Sequence, residues 1–301
     1  MTAVVLRAAT RASALARCQT DIVAGLLAEA CGAATEPVAV STTGDRRAST
    51  PIHAMGGKGV FVKEVQAAVL DGRTDIAVHS AKDLPSSTPE GLVLAAVPRR
   101  GDPRDALVGC RLADLPPSAK VATGSTRRRA QLASMRPDLG FAELRGNIAT
   151  RLDRAAGFDA IVMAAVALHR LGLVPDVLDV LDPSVFVPQV GQGAIAVECR
   201  ADDRDLVEML ATIEHEPSRR AVDAERAFLA ELGGDCSLPA GAHATDAGGG
   251  GLELTGLLAS PDGRTLLRTT RRARDAETLG RAVARHLLDD HGGRDLLATA
   301  P

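Results

Sequence analysis

The sequence contains neither tryptophan nor tyrosine, and it has only five phenylalanines in 301 residues. Aromatic side chains are the surfaces on which proteins stack unpaired bases, so their scarcity disfavours nucleic-acid binding. The net charge of -3 gives no support to such binding either. The chain alone should be almost transparent near 280 nm, so absorbance there would indicate a bound chromophore.

Long hydrophobic runs are also missing. No apolar run approaches the roughly eighteen residues that a membrane-spanning helix needs. The first residues, MTAVVLRAATRAS, lack the basic and then apolar segments of a secretory signal. We therefore expect a cytoplasmic protein without a membrane partner.

Paired cysteines are absent as well. The five cysteines are dispersed singly, without a CxxC pair: Cys18, Cys31, Cys110, Cys199 and Cys236. This pattern argues against a disulfide framework and against a metal site, and we expect most of these thiols to be reduced core residues. Cys236 differs because glycines precede it and a proline follows it, which places it on a loop. A loop thiol is a candidate for covalent attachment, although an incidental loop cysteine has the same appearance.

Short strands alternate with helices over the first two thirds of the chain. The pattern predicts strands at Val4–Ala9, Pro37–Ser41, Asp75–His79, Leu92–Val97, Lys120–Thr123, Phe141–Leu144, Asp159–Met163 and Ala194–Cys199. It predicts helices at Leu15–Ala30, Phe61–Leu70, Arg127–Ser134, Ile148–Ala156, Ala164–Arg170, Asp205–Ile213 and Pro217–Leu232. Such alternation is typical of parallel α/β sheets.

Two polar breaks, Arg99–Arg104 and Pro188–Gly193, indicate that the chain crosses between two α/β lobes with a ligand cleft between them. The last segment predicts a hairpin, Leu252–Leu258 with Arg264–Thr269, and a helix, Ala276–Asp289, which together form a small α+β domain. The expected domains are residues 1–98 with 196–215, residues 103–193, and residues 217–301.

Arginines cluster where two predicted strands lead into helices, in Thr123-Gly-Ser-Thr-Arg-Arg-Arg129 and Arg145-Gly-Asn-Ile-Ala-Thr-Arg151. A helix N-terminus already carries partial positive charge, so cations there are favoured when an anion binds. A solvated basic face is the alternative interpretation. Arg11 and Arg170 extend the set, which indicates a small ligand with several carboxylates.

Lys82 and Asp83 follow another predicted strand. A carboxylate beside a lysine at a strand end can stabilise a developing cation or transfer a proton. The spacing alone favours the other interpretation, an aspartate that makes a turn before Pro85.

Six stretches together resemble the porphobilinogen deaminase family along nearly the whole chain: LRAATRASALARCQT, GGKGVFVKEVQAAVLDGRTDIAVHSAKDLPS, VATGSTRRRAQL, LRGNIATRL, VGQGAIAVECR and ERAFLAELGGDCSLPAGAHA. The resemblance implies two lobes like those of periplasmic binding proteins, followed by a small α+β domain. It implies that four porphobilinogen units condense stepwise, with loss of ammonia, on a dipyrromethane cofactor joined to Cys236. The product is the linear tetrapyrrole hydroxymethylbilane, and a monomer is expected.

The resemblance also implies roles for single residues. Asp83 is the expected catalytic carboxylate. The residues expected to bind the cofactor are Cys236, Lys82, Arg127, Arg128, Ser125, Thr123, Arg145 and Ser13. The residues expected to bind the substrate are Arg11, Arg145, Arg151, Arg170 and Lys58.

Some positions depart from the family's pattern. Ala54 stands where many relatives have a basic residue, and Arg46 or Arg47 is a candidate to compensate for it. Ala14 replaces a frequent proline, and Gly124 and Thr126 lie in a loop that is usually richer in serine and leucine. These changes put individual carboxylate contacts in question. Two other function classes stay open at this point: a non-catalytic receptor for a small polyanion, and nucleic-acid binding through the arginines at 127–129.

Overall fold

The computed structural model describes residues 4–46, 59–233 and 238–298. Cys236, Lys58, Arg47 and Ala54 lie outside these ranges, so the expectations for them rest on sequence alone. Within the described ranges, three sheets account for the strands.

The first lobe is built on a sheet with the strand order β2-β1-β3-β10-β4. Its strands are β1 (Val5–Arg11), β2 (Ala34–Val40), β3 (Ile76–Ser80), β4 (Leu92–Ala96) and β10 (Ile195–Arg200). Its helices are α1 (Ala14–Cys31), α2 (Thr43–Arg46), α3 (Lys63–Leu70) and α7 (Arg204–Ala211). A short 3₁₀ turn, Ala81–Asp83, follows β3 and carries the Lys82-Asp83 pair.

The second lobe has a sheet with the order β7-β6-β8-β5-β9. Its strands are β5 (Asp105–Val108), β6 (Lys120–Ala122), β7 (Gly140–Ala142), β8 (Ala160–Ala164) and β9 (Leu178–Val180). Its helices are α4 (Thr126–Met135), α5 (Ile148–Asp153) and α6 (Ala165–Arg170).

Both sheets are mixed, so the expectation of parallel sheets is only partly right. Three neighbouring strands are parallel in each lobe, but β10 runs antiparallel to β3 and β4, and β5 runs antiparallel to β8 and β9. Each antiparallel strand follows directly after the chain has crossed from the other lobe. The direction of these strands depends on that crossing and not on local sequence.

The two crossings, residues 97–104 and residues 181–194, lie side by side. The Gly101 amide donates to the Gly193 carbonyl over 3.1 Å. Gly193 has a φ of +89°, and a Cβ there would lie 2.5 Å from the Gly101 oxygen. Only glycine permits this approach of the two backbones.

The third domain combines an antiparallel sheet, in the order β11-β12-β13, with helices. Its elements are α8 (Glu216–Glu231), β11 (Ala240–Gly248), β12 (Gly251–Ala259), β13 (Leu266–Ala273), α9 (Ala276–Arg285) and α10 (Gly293–Ala298). Thus the predicted hairpin and the α+β character are confirmed, with β11 as an additional strand. Phe228, Leu254 and Val283 are fully buried at the centre of this domain.

Four cysteines lie in the described residues, and all four are free thiols. Only Cys199 among them is buried, so the expectation that most cysteines belong to the core is wrong. Cys31 is exposed because it is the last residue of α1, and Cys18 lies on α1 where its thiol reaches the Arg170 carbonyl. None of the described helices has the length and apolar character needed to cross a membrane.

Candidate active site

The two arginine clusters meet because their turns pack together. Ser125 caps α4 by accepting a hydrogen bond from the Arg128 amide, and Asn147 caps α5 by accepting one from the Thr150 amide. A Cβ at Gly124 would lie 3.1 Å from Cδ of Arg145, so the glycine allows the first turn to lie against the second. The departure from the family's pattern at Gly124 therefore coincides with a close contact between these turns.

Arg127 and Arg128 share one buried carboxylate. Asp105, at the start of β5, lies 2.8 Å from Nη1 of Arg127 and 2.7 Å from Nη2 of Arg128. Burial opposes the charged form of Asp105, but the two guanidinium groups outweigh it and hold the pKa well below its usual value. The Asp105 carboxylate is therefore charged in the folded protein.

Gln192 connects this ion-pair cluster to Lys82. Its side-chain oxygen accepts hydrogen bonds from Arg128 Nη2 at 3.3 Å and from Lys82 Nζ at 3.4 Å. Its amide nitrogen donates to Asp105 Oδ1 and to the Pro103 carbonyl. Gln192 belongs to the second crossing. The segment that connects the lobes therefore contributes a side chain to the site.

Asp83 lies beside Arg11 at the edge of the first lobe. Arg11 Nη1 is 3.7 Å from Asp83 Oδ2, whereas Arg11 Nη2 is 2.5 Å from Asp45 Oδ1. The Arg11 guanidinium also stacks over the Phe61 ring at 4.3 Å. The Asp83 carboxylate is about a quarter exposed, and Asp45 holds the Arg11 cation at its side.

Positive charge is in excess where Lys82 of the first lobe meets the arginines of the second lobe. Burial, and then the charge of Arg128, lower the pKa of Lys82 to about 8. Burial, and then the charges of Arg128 and Arg145, lower the pKa of Arg151 to about 10. Cations that destabilise one another in this way are a favourable setting for an anion.

Several buried nitrogens of this cluster have no protein partner among the described residues. They are Nε and Nη2 of Arg127, whose side chain is only 3 % exposed, and Nε of Arg151. A buried N–H group without a hydrogen bond costs free energy, and a ligand acceptor removes that cost. These nitrogens are therefore suited to bind the oxygens of an anion.

Two small cavities lie on either side of Lys82. Arg170 lines one of them together with Gln19 and Ser80. Arg127 and Ser125 line the other together with Leu238, the first described residue after the segment that contains Cys236. The second cavity thus lies where the two lobes and the third domain meet.

The structure gathers most of the predicted site residues in one region. Lys82 interacts electrostatically with Asp83, Arg128 and Arg151. Arg151 also interacts with Arg145, and Arg127 with Arg128. Thr123 is buried at the turn, where its hydroxyl accepts from the Ser125 amide. Arg170 lines a cavity, but its Nη2 also donates to the Gly193 carbonyl over 2.8 Å.

Ser13 and Arg46 have local partners. Ser13 caps α1 by accepting a hydrogen bond from the Ala16 amide. Arg46 contacts Glu64 at 2.9 Å and the Thr43 hydroxyl at 3.0 Å. Arg46 is a candidate to compensate for Ala54, and these two neighbours hold its side chain.

Sequence reasoning missed Asp45, Asp105 and Gln192. Asp105 and Gln192 lie at the ends of the two polar breaks. Their position beside these breaks is the sequence feature that could have marked them as site residues. The partners of Asp105 and Gln192 described above lie 22 to 110 residues away in the chain, so local patterns do not reveal the contacts.

Two α/β lobes with a buried cationic region at their junction are typical of a protein that acts on a small anionic ligand. The description "Porphobilinogen deaminase, dipyromethane cofactor binding domain" belongs to the family model that matches residues 6–208. The model for the C-terminal domain of the same enzyme matches residues 220–289. The chain belongs to the porphobilinogen deaminase family.

Curated relatives agree along nearly the full length. The porphobilinogen deaminase of Acidothermus cellulolyticus is 46% identical over 99% of this chain and 92% of the relative. The porphobilinogen deaminase of Roseiflexus sp. is 48% identical over 96% of this chain and 97% of the relative. The predicted family, its transferase activity on porphobilinogen and its dipyrromethane cofactor are confirmed.

Solved structures with a similar arrangement include a periplasmic substrate-binding protein of an ABC transporter from Coxiella burnetii. It is 15% identical, with a TM-score of 0.44 over 73% of this chain and 96% of that one. The methionine-binding protein MetQ is 12% identical, with a TM-score of 0.42 over 73% of this chain and 94% of that one. The assignment of two α/β lobes rests on the strand order described above.

Proposed function

We propose that the cationic region between the lobes holds the carboxylates of porphobilinogen, of the dipyrromethane joined to Cys236, and of the growing chain. Four porphobilinogen units condense there stepwise with loss of ammonia, and hydroxymethylbilane is released. The observation that carries this proposal is the set of buried guanidinium nitrogens on Arg127 and Arg151 that have no acceptor within residues 4–46, 59–233 and 238–298.

The described residues fit a bipyrrole that carries acetate and propionate groups. Each pyrrole brings two carboxylates, and guanidinium groups bind carboxylates through paired N–H donors. Excess positive charge around Lys82 and Arg151 favours binding of these groups. When bound, the dipyrromethane supplies the terminal pyrrole carbon to which further units are added.

The proposed binding residues divide into two groups. Lys82, Ser125, Thr123, Arg127, Arg128 and Arg145 hold the cofactor, with Ser13 at the start of α1. Arg11, Arg145, Arg151 and Arg170 hold the substrate, together with Lys58. Arg11 and Arg170 are already fixed by Asp45 and by the Gly193 carbonyl, so their remaining nitrogens serve the ligand.

Asp83 is the proposed catalytic residue. Its carboxylate follows β3 and faces the region where Lys82, Arg11 and Arg151 concentrate positive charge. It stabilises positive charge on a pyrrole nitrogen and moves a proton at its carboxylate oxygens as ammonia departs. The Arg11 guanidinium beside it helps to orient the carboxylate.

Three further features belong to the same proposal. The domains comprise residues 1–98 with 196–215, residues 103–193, and residues 217–301. The protein acts as a monomer, as the resemblance to the family implies. It acts in the cytoplasm, which the four free thiols support.

Intact-mass measurement tests this function. We expect the purified protein to exceed its sequence mass by one bipyrrole, and Cys236→Ser to lose both the increment and the conversion of porphobilinogen. Cys31→Ser, which alters an exposed thiol at the end of α1, should retain both. An unmodified wild-type protein that binds porphobilinogen without converting it would instead support a polyanion receptor.

A further inference from the structure

Asp105 occupies a central position among the ligand-binding arginines. Its carboxylate is fully buried at the start of β5. It contacts Arg127, Arg128 and the side-chain amide of Gln192, with distances between 2.7 and 3.0 Å. No aspect of the proposed chemistry requires a negative charge at this point, since the expected ligands are themselves anions.

Asp105 leaves the two arginines with different hydrogen-bonding states. Arg128 is engaged on every nitrogen, because Nε donates to Asp105, Nη1 to the Val162 carbonyl and Nη2 to Gln192. Among the described residues, Arg127 is engaged through Nη1 alone, which contacts Asp105 and donates to the Val187 carbonyl. Its Nε and Nη2 have no acceptor among the described residues, and they form one edge of the guanidinium plane.

The backbone around Arg127 reinforces this orientation. Cδ of Arg127 is 3.1 Å from the position of a Cβ at Gly241 in β11, so the third domain packs closely against the side chain. The Phe186 ring lies 5.8 Å from the guanidinium carbon. The stem is thus packed and Nη1 is held, and Arg127 itself lines the cavity together with Ser125, Lys82 and Leu238.

We propose that Asp105 is a positioning residue that fixes Arg127 and Arg128 so that the free edge of Arg127 is ready to receive a ligand carboxylate. The inference rests on the proposed function, since it concerns how the same site binds its carboxylates. A planar guanidinium binds a carboxylate well only in a defined orientation, so its anchor controls affinity.

If Asp105 orients the arginines, its removal should change the KM for porphobilinogen in the opposite direction to a simple effect of its charge. If Asp105 acted only through its charge, removal of that charge would make the site more positive and lower the KM for porphobilinogen. If it acted only in folding, KM and kcat per folded molecule would stay unchanged below the melting temperature. Positioning predicts a higher KM, because the arginines lose their orientation although the site gains positive charge.

The experiment compares Asp105→Asn with the wild type as holoenzymes, with cofactor loading checked by intact mass. We expect a folded protein whose KM rises about 10- to 100-fold, the cost of one charge-assisted contact, with a smaller change in kcat. A folded variant that fails to load the bipyrrole supports the inference equally, because the cofactor carboxylates meet the same arginines. An unchanged or lower KM overturns it.

Two more variants complete the test. Glu198→Gln removes a fully buried carboxylate in the first lobe that binds Gln66 and His79, and should lower stability without altering KM. If Asp105→Asn does not fold, Asp105→Glu keeps the charge and shifts the carboxylate by one methylene, and positioning again predicts a raised KM. A wild-type protein without bipyrrole or turnover would refute the proposed function itself, whereas an active wild type with an unchanged variant refutes only this inference.

Discussion

Arg100 of the first crossing and Glu225 of α8 form a buried ion pair, with Nη1 and Oε1 2.7 Å apart. The same carboxylate accepts the Gly191 amide of the second crossing at 2.7 Å and the Ala244 amide of β11 at 2.9 Å. One side chain of the third domain thus holds both connections between the lobes. The position of the lobes depends on a residue that belongs to neither sheet.

Glu225→Gln should strongly destabilise the protein. The change leaves Arg100 without its buried counter-charge, and loss of one partner of a buried pair costs about 3 to 5 kcal/mol. Urea unfolding of the two proteins measures the difference. Glu277→Gln, which breaks an exposed pair with Arg281, is the matched control and should cost less than about 0.5 kcal/mol.

The same variant should alter the response to acid. Burial raises the pKa of Glu225, but Arg100 and His243 outweigh burial and lower the pKa to about 2. The stabilisation is therefore present above the ordinary glutamate pKa and is lost as the pH falls toward 2. Unfolding free energies between pH 5 and 3 should fall more steeply in the wild type than in Glu225→Gln. Equal slopes would show that Glu225 does not carry this dependence.

Asp83→Asn should abolish most turnover while it preserves the fold. The amide cannot stabilise a cationic pyrrole or accept a proton, and such contributions are worth about 10²- to 10⁴-fold in rate. Steady-state consumption of porphobilinogen measures the loss, and thermal unfolding checks the fold. Asp138→Asn alters a carboxylate that pairs with Arg136 at the surface and should keep full activity. Substantial turnover with asparagine at position 83 would remove Asp83 from its role.

Substrate capture should weaken as the pH rises through about 8. Burial and the charge of Arg128 lower the pKa of Lys82 to about 8, so the lysine loses its charge, and its attraction for carboxylates, near that pH. We expect kcat/KM, which reports the free enzyme, to fall with an inflection there. Lys82→Arg retains its charge above that pH and should lose the inflection. An identical profile in this variant would contradict the assignment.

Local sequence patterns predicted most elements that surround the site. The two arginine-bearing helices begin at Ser125 and Asn147 because their side chains cap the first turn, and capping is a local interaction. The predicted strand Asp159–Met163 corresponds to β8, Ala160–Ala164, one residue later. Periodicity and caps depend on neighbours in the chain, so one sequence suffices for them.

The strands β5 and β9, the antiparallel direction of β10 and the ion-pair partners were beyond reach of the same reasoning. β5 has four residues and begins with Asp105, whose charge would normally argue against a buried strand. Its burial is possible only because Arg127 and Arg128 meet it from α4. The sequence identified the arginines as candidates. It did not show which of their nitrogens would be hydrogen-bonded to other residues of the protein.

Insertion of β10 between β3 and β4 has a consequence during synthesis of the chain. When the ribosome has synthesised β4, the first sheet still lacks β10, the strand that lies between β3 and β4. All five strands of the second sheet lie between residues 105 and 180, and they can pair before that strand emerges. The second sheet can therefore be complete before the first. The strands of the first sheet keep an unpaired edge until β10, which ends at Arg200, has been synthesised.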